Sequence, residues 1–136
     1  MSITFGFFKD FLGSDTLLLV STPSGFLEFS DRLRGITLRP EMAVDLKSLG
    51  WVSKADLSAV IIGAPTGSFL EIDGNDRRLV WRLASSEREA VIDKLTGVAQ
   101  HSGPAHEFLE TIGEFQIIAS AGEYPESLFE KQTLKT

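Results

Sequence analysis

Between Phe69 and Leu83 the chain alternates as only paired strands do. Leu70 and Ile72 interleave with Glu71 and Asp73; after Gly74-Asn75-Asp76, Leu79, Trp81 and Leu83 interleave with Val80 and Arg82. Successive side chains of a strand point to opposite faces, so each run offers one apolar face to a core. Glycine and asparagine at the join accept the positive φ of a tight reversal. An antiparallel hairpin in mid-chain argues against a doubly wound fold, whose strands alternate strictly with helices.

Shorter signals place the remaining elements. Thr16–Ser21 (TLLLVS) is a continuous apolar run, too short for a helix, and reads as a buried central strand. Thr22 or Ser24 then caps a helix with Pro23 in its first turn, Phe26, Phe29 and Leu33 at helical spacing, and Gly35 at its end. Met42, Val44 and Leu46 alternate as a half-buried strand would, and the rest of 36–56 reads as irregular. Leu57–Ile62 is a β-branched strand that runs into the turn Gly63–Ser68. Ser86 and Glu89 form a capping box ahead of Ala90, Val91, Leu95, Val98 and Ala99, a helical stripe reaching about Gln100. Pro104 and Gly113 bound a short third helix carrying Phe108, Leu109 and Ile112, and Phe115–Ser120 is a closing strand. The tail holds Tyr124, Leu128 and Phe129 before turning polar, and residues from about 130 are expected to fray. No internal repeat is visible. The expected architecture is one α+β domain over 1–136, a mixed, mostly antiparallel sheet with two or three helices packed on one face.

Composition narrows the function classes. A chain of 136 residues is long enough for one real core. The absence of cysteine excludes disulfides, thiolate zinc sites and cysteine nucleophiles. Thirteen basic residues against nineteen acidic ones give a net charge of −6, a field that repels phosphate backbones and anionic lipid. Arg32, Arg34 and Arg39, and the pair Arg77 and Arg78, are too sparse for a nucleic-acid footprint. No stretch approaches the roughly 18 consecutive apolar residues of a membrane span, and Met1–Leu12 lacks the features of a secretory signal. The expectation is a cytoplasmic, bacterial-type protein with neither nucleic-acid nor membrane partners.

Candidate site residues fall into two groups. On the expected third helix, His106 and Glu110 stand at i and i+4, a spacing able to hold a polar ligand or a divalent ion. The chain has only two histidines, and solvated acids are the simpler reading, so no metal or cofactor is expected. Ser24 and Gly25 begin the first helix directly after a buried strand, where backbone N–H groups can receive an anion. No serine lies in a G-x-S-x-G elbow, so no catalytic residue is assigned. The second group is aromatic. Phe5 and Phe7 would share one face of an N-terminal strand; at a sheet edge that face would pair with a second copy of the chain. Trp51, Glu123 and Tyr124 complete the candidate protein interface.

These readings favour a small acidic intracellular protein that acts by binding another protein, as an inhibitor, an immunity-like protein or a regulatory factor. Its charge would favour a basic partner. The alternative is a small-molecule-binding or enzymatic domain with a pocket between sheet and helices, contacted by Ser24 and Gly25 or by His106 and Glu110.

Overall fold

The computed structural model describes residues 2–73 and 77–131. Among them are nine strands, two α-helices and three short 3₁₀ segments: β1 (Ile3–Phe11), β2 (Ser14–Val20), α1 (Pro23–Gly35), β3 (Val44–Asp45), β4 (Trp51–Ser53), β5 (Ser58–Ala64), β6 (Phe69–Asp73), β7 (Arg78–Ala84), α2 (Arg88–Gln100), β8 (Ala105–Phe108) and β9 (Phe115–Ala121). The 3₁₀ segments are Leu46–Leu49, Ser85–Glu87 and Glu126–Lys131. The class is α+β, mostly strand, and no helix among the described residues is long and apolar enough to cross a membrane.

There are two sheets rather than one. The first runs β4-β1-β2-β9-β8 and the second β3-β5-β7-β6. Hairpins β1/β2 and β6/β7 are antiparallel, as are the pairs β8/β9 and β3/β5. The joins between them, β2 with β9 and β5 with β7, are parallel. The sheets are therefore mixed, with four antiparallel pairs and, counting β1 with β4, three parallel ones; two sheets stand where a single one was expected.

The same succession occurs twice. A hairpin, a 13-residue helix and two antiparallel strands make β1-β2-α1-β3-β5 and again β6-β7-α2-β8-β9, with β4 an addition to the first half. Each half delivers its last two strands to the other half's sheet, where β5 pairs parallel with β7 and β9 parallel with β2.

The inner faces of both sheets and the apolar stripes of both helices form one core. It takes Leu17 and Leu19 from β2, Ile61 from β5, Leu79, Trp81 and Leu83 from β7, Phe26, Phe29 and Leu33 from α1, and Val91, Ile92, Leu95 and Val98 from α2. A second, smaller cluster lies behind the first sheet, where Phe8, Leu18 and Ile118 meet Phe129 of the C-terminal 3₁₀ segment. Coverage on both faces explains why Leu17–Val20 of β2 is continuously apolar.

Local signals hold for α1, which Thr22 caps by accepting from Gly25 N–H at 3.1 Å. The α2 capping box does not form. Ser85–Glu87 instead make a 3₁₀ turn and the helix begins at Arg88 without a side-chain cap. The carboxylate of Glu87 is taken by the Ser68 hydroxyl, which donates to it at 2.7 Å and accepts from Ala84 N–H at 3.0 Å. Arg88 in turn donates to the carbonyls of Leu33 and Ile36, tying the start of α2 to the end of α1. The third helix is also overturned: 105–108 is β8, paired with β9 at the sheet edge. Of its expected stripe only Leu109 is buried; Phe108 and Ile112 are exposed. The hairpin stands as read, with Leu70 opposite Trp81 and Ile72 opposite Leu79, although its turn, 74–76, lies outside the described residues. So do residues 132–136, within the tail expected to fray.

The second sheet depends on one close approach. Gly63 N–H donates to Arg39 O at 3.0 Å, and a Cβ at Gly63 would stand 2.7 Å from Arg39 N and Leu38 C. Those neighbours are backbone and have no rotamer to yield. Gly63→Ala should cost about 1–3 kcal/mol of stability in urea unfolding, with an unchanged slope; a variant as stable as the wild type would show that this approach is not tight.

Candidate functional site

The start of α1 is engaged by the chain itself. Gly25 is buried, and a Cβ there would lie 1.9 Å from Ser21 Oγ, which donates to Ser2 O at 2.8 Å. Gly25 is thus a packing glycine where the N-terminal residues cross the helix start. Its N–H is satisfied by Thr22, and the exposed Ser24 hydroxyl lies 3.2 Å from Thr22 Oγ1.

His106 and Glu110 have different partners, because strand β8 replaces the helix that would have aligned them. Glu110 lies beyond the end of β8, its Oε1 2.7 Å from Lys94 Nζ, and its carbonyl accepts from the Trp81 indole at 3.1 Å. His106 Nδ1 lies 2.9 and 3.1 Å from the two carboxylate oxygens of Glu123. The buried Ser120 hydroxyl donates to the same carboxylate at 2.8 Å. Register places His106 directly opposite Ser120, and Glu123 closes the group from the turn after β9.

Burial pushes the Glu123 carboxyl up, but hydrogen bonds from Ser120 and His106 and the charge of His106 outweigh it, and the net shift is downward. Burial, and then the negative charge of Glu123, pushes the neighbouring Tyr124 phenol up. The Tyr124 ring packs edge-on against Phe11 at 5.4 Å. Chemically this is a carboxylate that orients an imidazole and leaves Nε2 outward of the pair. It is no serine-hydrolase relay, because the serine donates to the carboxylate instead of lying at Nε2. Among the described residues no group of three or more His, Asp and Glu side chains is placed to hold a metal ion.

The aromatic candidates are core. Phe5, Phe7 and Trp51 are 3%, 2% and 1% exposed, with Trp51 between Phe5 and Phe29 at ring distances of 5.4 and 5.5 Å. The edge position assumed for the first strand belongs to β4, which pairs with β1 through Ile3↔Trp51 and Thr4↔Val52. Phe5 and Phe7 therefore offer no surface to a second copy; of the interface group, Glu123 and Tyr124 remain accessible.

An apolar surface does lie elsewhere. On the outward side of the second sheet, Val60 and Val80 are register neighbours, with Ile62 one step along. All three are half-buried, and they belong to neither hydrophobic cluster. Arg82 flanks them, ion-paired with Glu71 and lying 5.9 Å from the Phe69 ring centroid, and Arg78 stands opposite Asp73. Matching the two halves at their strand ends, Val20↔Ser120 and Ala84↔Ala64, sets Ile62 where the other sheet has Ile118. Ile118 is sealed under Phe129, whereas Ile62 is in neither cluster formed by the described residues. The sequence carried this signal in the apolar side chains at Val60, Ile62 and Val80, on the strand positions opposite the core-facing ones.

What the geometry defines is a class, an α+β protein of two mixed sheets sharing one core. No protein-family model, curated protein or solved structure matches the chain.

Glu123 yields a pH signature. A carboxyl whose pKa is lowered by folding contributes stability that is complete above the unfolded value, about 4.3, and is lost as pH falls through the folded one. Glu123→Gln removes that contribution. The wild type should melt above the variant at pH of about 5.5, with the gap closing towards a pH of about 3; a gap that stays constant over this range would contradict the assignment.

Proposed function

We propose that this protein acts in the cytoplasm by binding another protein, as an inhibitor or regulatory factor, and that the outward face of the second sheet is its binding surface. The observation that carries this reading is the stripe of Val60, Ile62 and Val80, held on a rigid sheet outside both hydrophobic clusters. Its topological counterpart in the first sheet is sealed by an aromatic side chain from the tail.

The chemistry of the surface suits a protein partner. Interface centres are apolar and desolvated while their rims are charged, and arginine is favoured among rim and anchor residues. Here the aliphatic stripe is bordered by Arg78 and Arg82 on β7, by Glu71 and Asp73 on β6 and, on the other side, by Asp45 of β3 beside Val60. Two cations against three acids leave the border slightly acidic, in keeping with the chain's −6. The surrounding field favours the approach of a basic partner, and the apolar stripe then determines how long it stays.

The test is capture of a partner by the tagged wild type, with the same partner then titrated against Val80→Lys. Val80 is half-buried on an outer face, so the variant should melt close to the wild type. Binding should weaken at least about thirtyfold, the equivalent of roughly 2 kcal/mol at an interface centre. A partner that binds Val80→Lys as tightly as the wild type would remove this face from the function.

A further inference from the structure

The first sheet ends at β8, where His106, Glu107 and Phe108 are all exposed. Leu109 N–H donates to Ile117 O at 2.9 Å, which sets the phase of the ladder with β9. Ala105 and Glu107 therefore exchange backbone bonds with β9, whereas the N–H and C=O groups of His106 and Phe108 point to the free side. Lys94 Nζ donates to the Phe108 carbonyl at 2.9 Å. His106 N–H, His106 C=O and Phe108 N–H keep no partner among the described residues.

The other sheet edges are shorter or engaged. Trp51 of β4 is 1% exposed, β3 has two residues, and β6 is met at Phe69 by Ile112, whose N–H donates to Ser68 O at 2.7 Å. The open strand is also held in place. All of β8 is in register with β9, Leu109 is buried beyond its end, and His106 Nδ1 lies 2.9 Å from the Glu123 carboxylate. Phe108 adds an apolar ring, 44% exposed, to the free backbone. Lys94 is matched by Glu110 at 2.7 Å, while Glu107 forms no ion pair among the described residues and leaves the edge negative.

We propose that β8 accepts an extended segment of a partner protein, added antiparallel as a further strand, with a lysine or arginine opposite Glu107 between apolar residues opposite Phe108 and His106. The unpaired backbone groups supply the ladder of such strand addition, and the side chains select its sequence. Glu107 falls in a non-hydrogen-bonded pair, whose Cα atoms approach to about 4.5 Å, so an opposite charge there stabilises and a like charge destabilises. A second copy of the chain fits poorly for the same reason. Two-fold pairing about Glu107 sets carboxylate against carboxylate; pairing about His106 sets imidazole against imidazole and Phe108 against Pro104, which has no N–H to give. The inference does not rest on the aliphatic stripe of the second sheet.

The test is titration of the full chain with the blocked peptide Ac-Thr-Phe-Lys-Val-Thr-NH2, followed in nitrogen–proton correlation spectra and by amide hydrogen exchange. The His106 and Phe108 amide peaks should move saturably, with an apparent Kd of about 1 mM or tighter. Their exchange should slow, while that of Glu107, already bonded to β9, stays as it was. Glutamate in place of the peptide's lysine should weaken binding at least about fivefold. N-methylation of the peptide's valine, which removes the N–H meeting His106 C=O, should abolish binding, and N-methylation of its lysine, whose N–H points away, should not. His106 and Phe108 amides that neither move nor slow would overturn the site. Equal binding of the glutamate peptide would overturn the basic partner, and protection of both amides without peptide, at doubled mass, would assign the edge to a second copy instead.

Discussion

Everything in this fold depends on the parallel pairing of strands from opposite halves of the chain. β2 is completed by β9, some hundred residues later, and β7 by β5 from the first half. A hairpin and helix on their own would leave one edge and one apolar face unsatisfied, and a two-stranded ribbon is barely stable in water. Exchange of the terminal strands gives each hairpin its missing neighbour. Together with the α1–α2 contact, it puts the inner faces of both sheets into one cluster. Contacts of such large sequence separation carry a loop-closure cost that local structure cannot offset alone, so the halves gain stability only jointly.

The same arrangement determines which surfaces are left over. Inner faces are consumed by the shared core, and outer faces remain one per sheet. The C-terminal 3₁₀ segment seals the first with Phe129, while the second carries an aliphatic stripe and its charged border. Function is proposed on the remaining face.

Much of the local structure was legible in the residues. The 69–83 alternation, the apolar run of β2 and the Thr22-Pro23 start of α1 are local effects, and each appears in place. What failed was non-local. Pro104 and the 108-109-112 spacing favour a helix, yet β9 offers an open edge and 105–108 pairs with it. Glu87 is held by Ser68, and α2 starts later than its capping box proposed. The repeated topology leaves no trace in sequence because equivalent positions have diverged: the strand-end match sets Leu18 against Arg82 and Gln116 against Val60. His106 and Glu123 were each picked out, but register alone brings them together.

The central claim is that two exchanged sheets form one cooperative unit, and the tryptophans report on it because Trp51 lies in the first sheet and Trp81 in the second. The decisive measurement is urea unfolding of Trp51→Phe and Trp81→Phe, each followed by its remaining indole fluorescence and by far-ultraviolet circular dichroism. The account predicts that within each variant the two probes share one midpoint and one slope. Midpoints that separate, with one sheet's indole exposed while half the strand signal persists, would show two independent halves and contradict it.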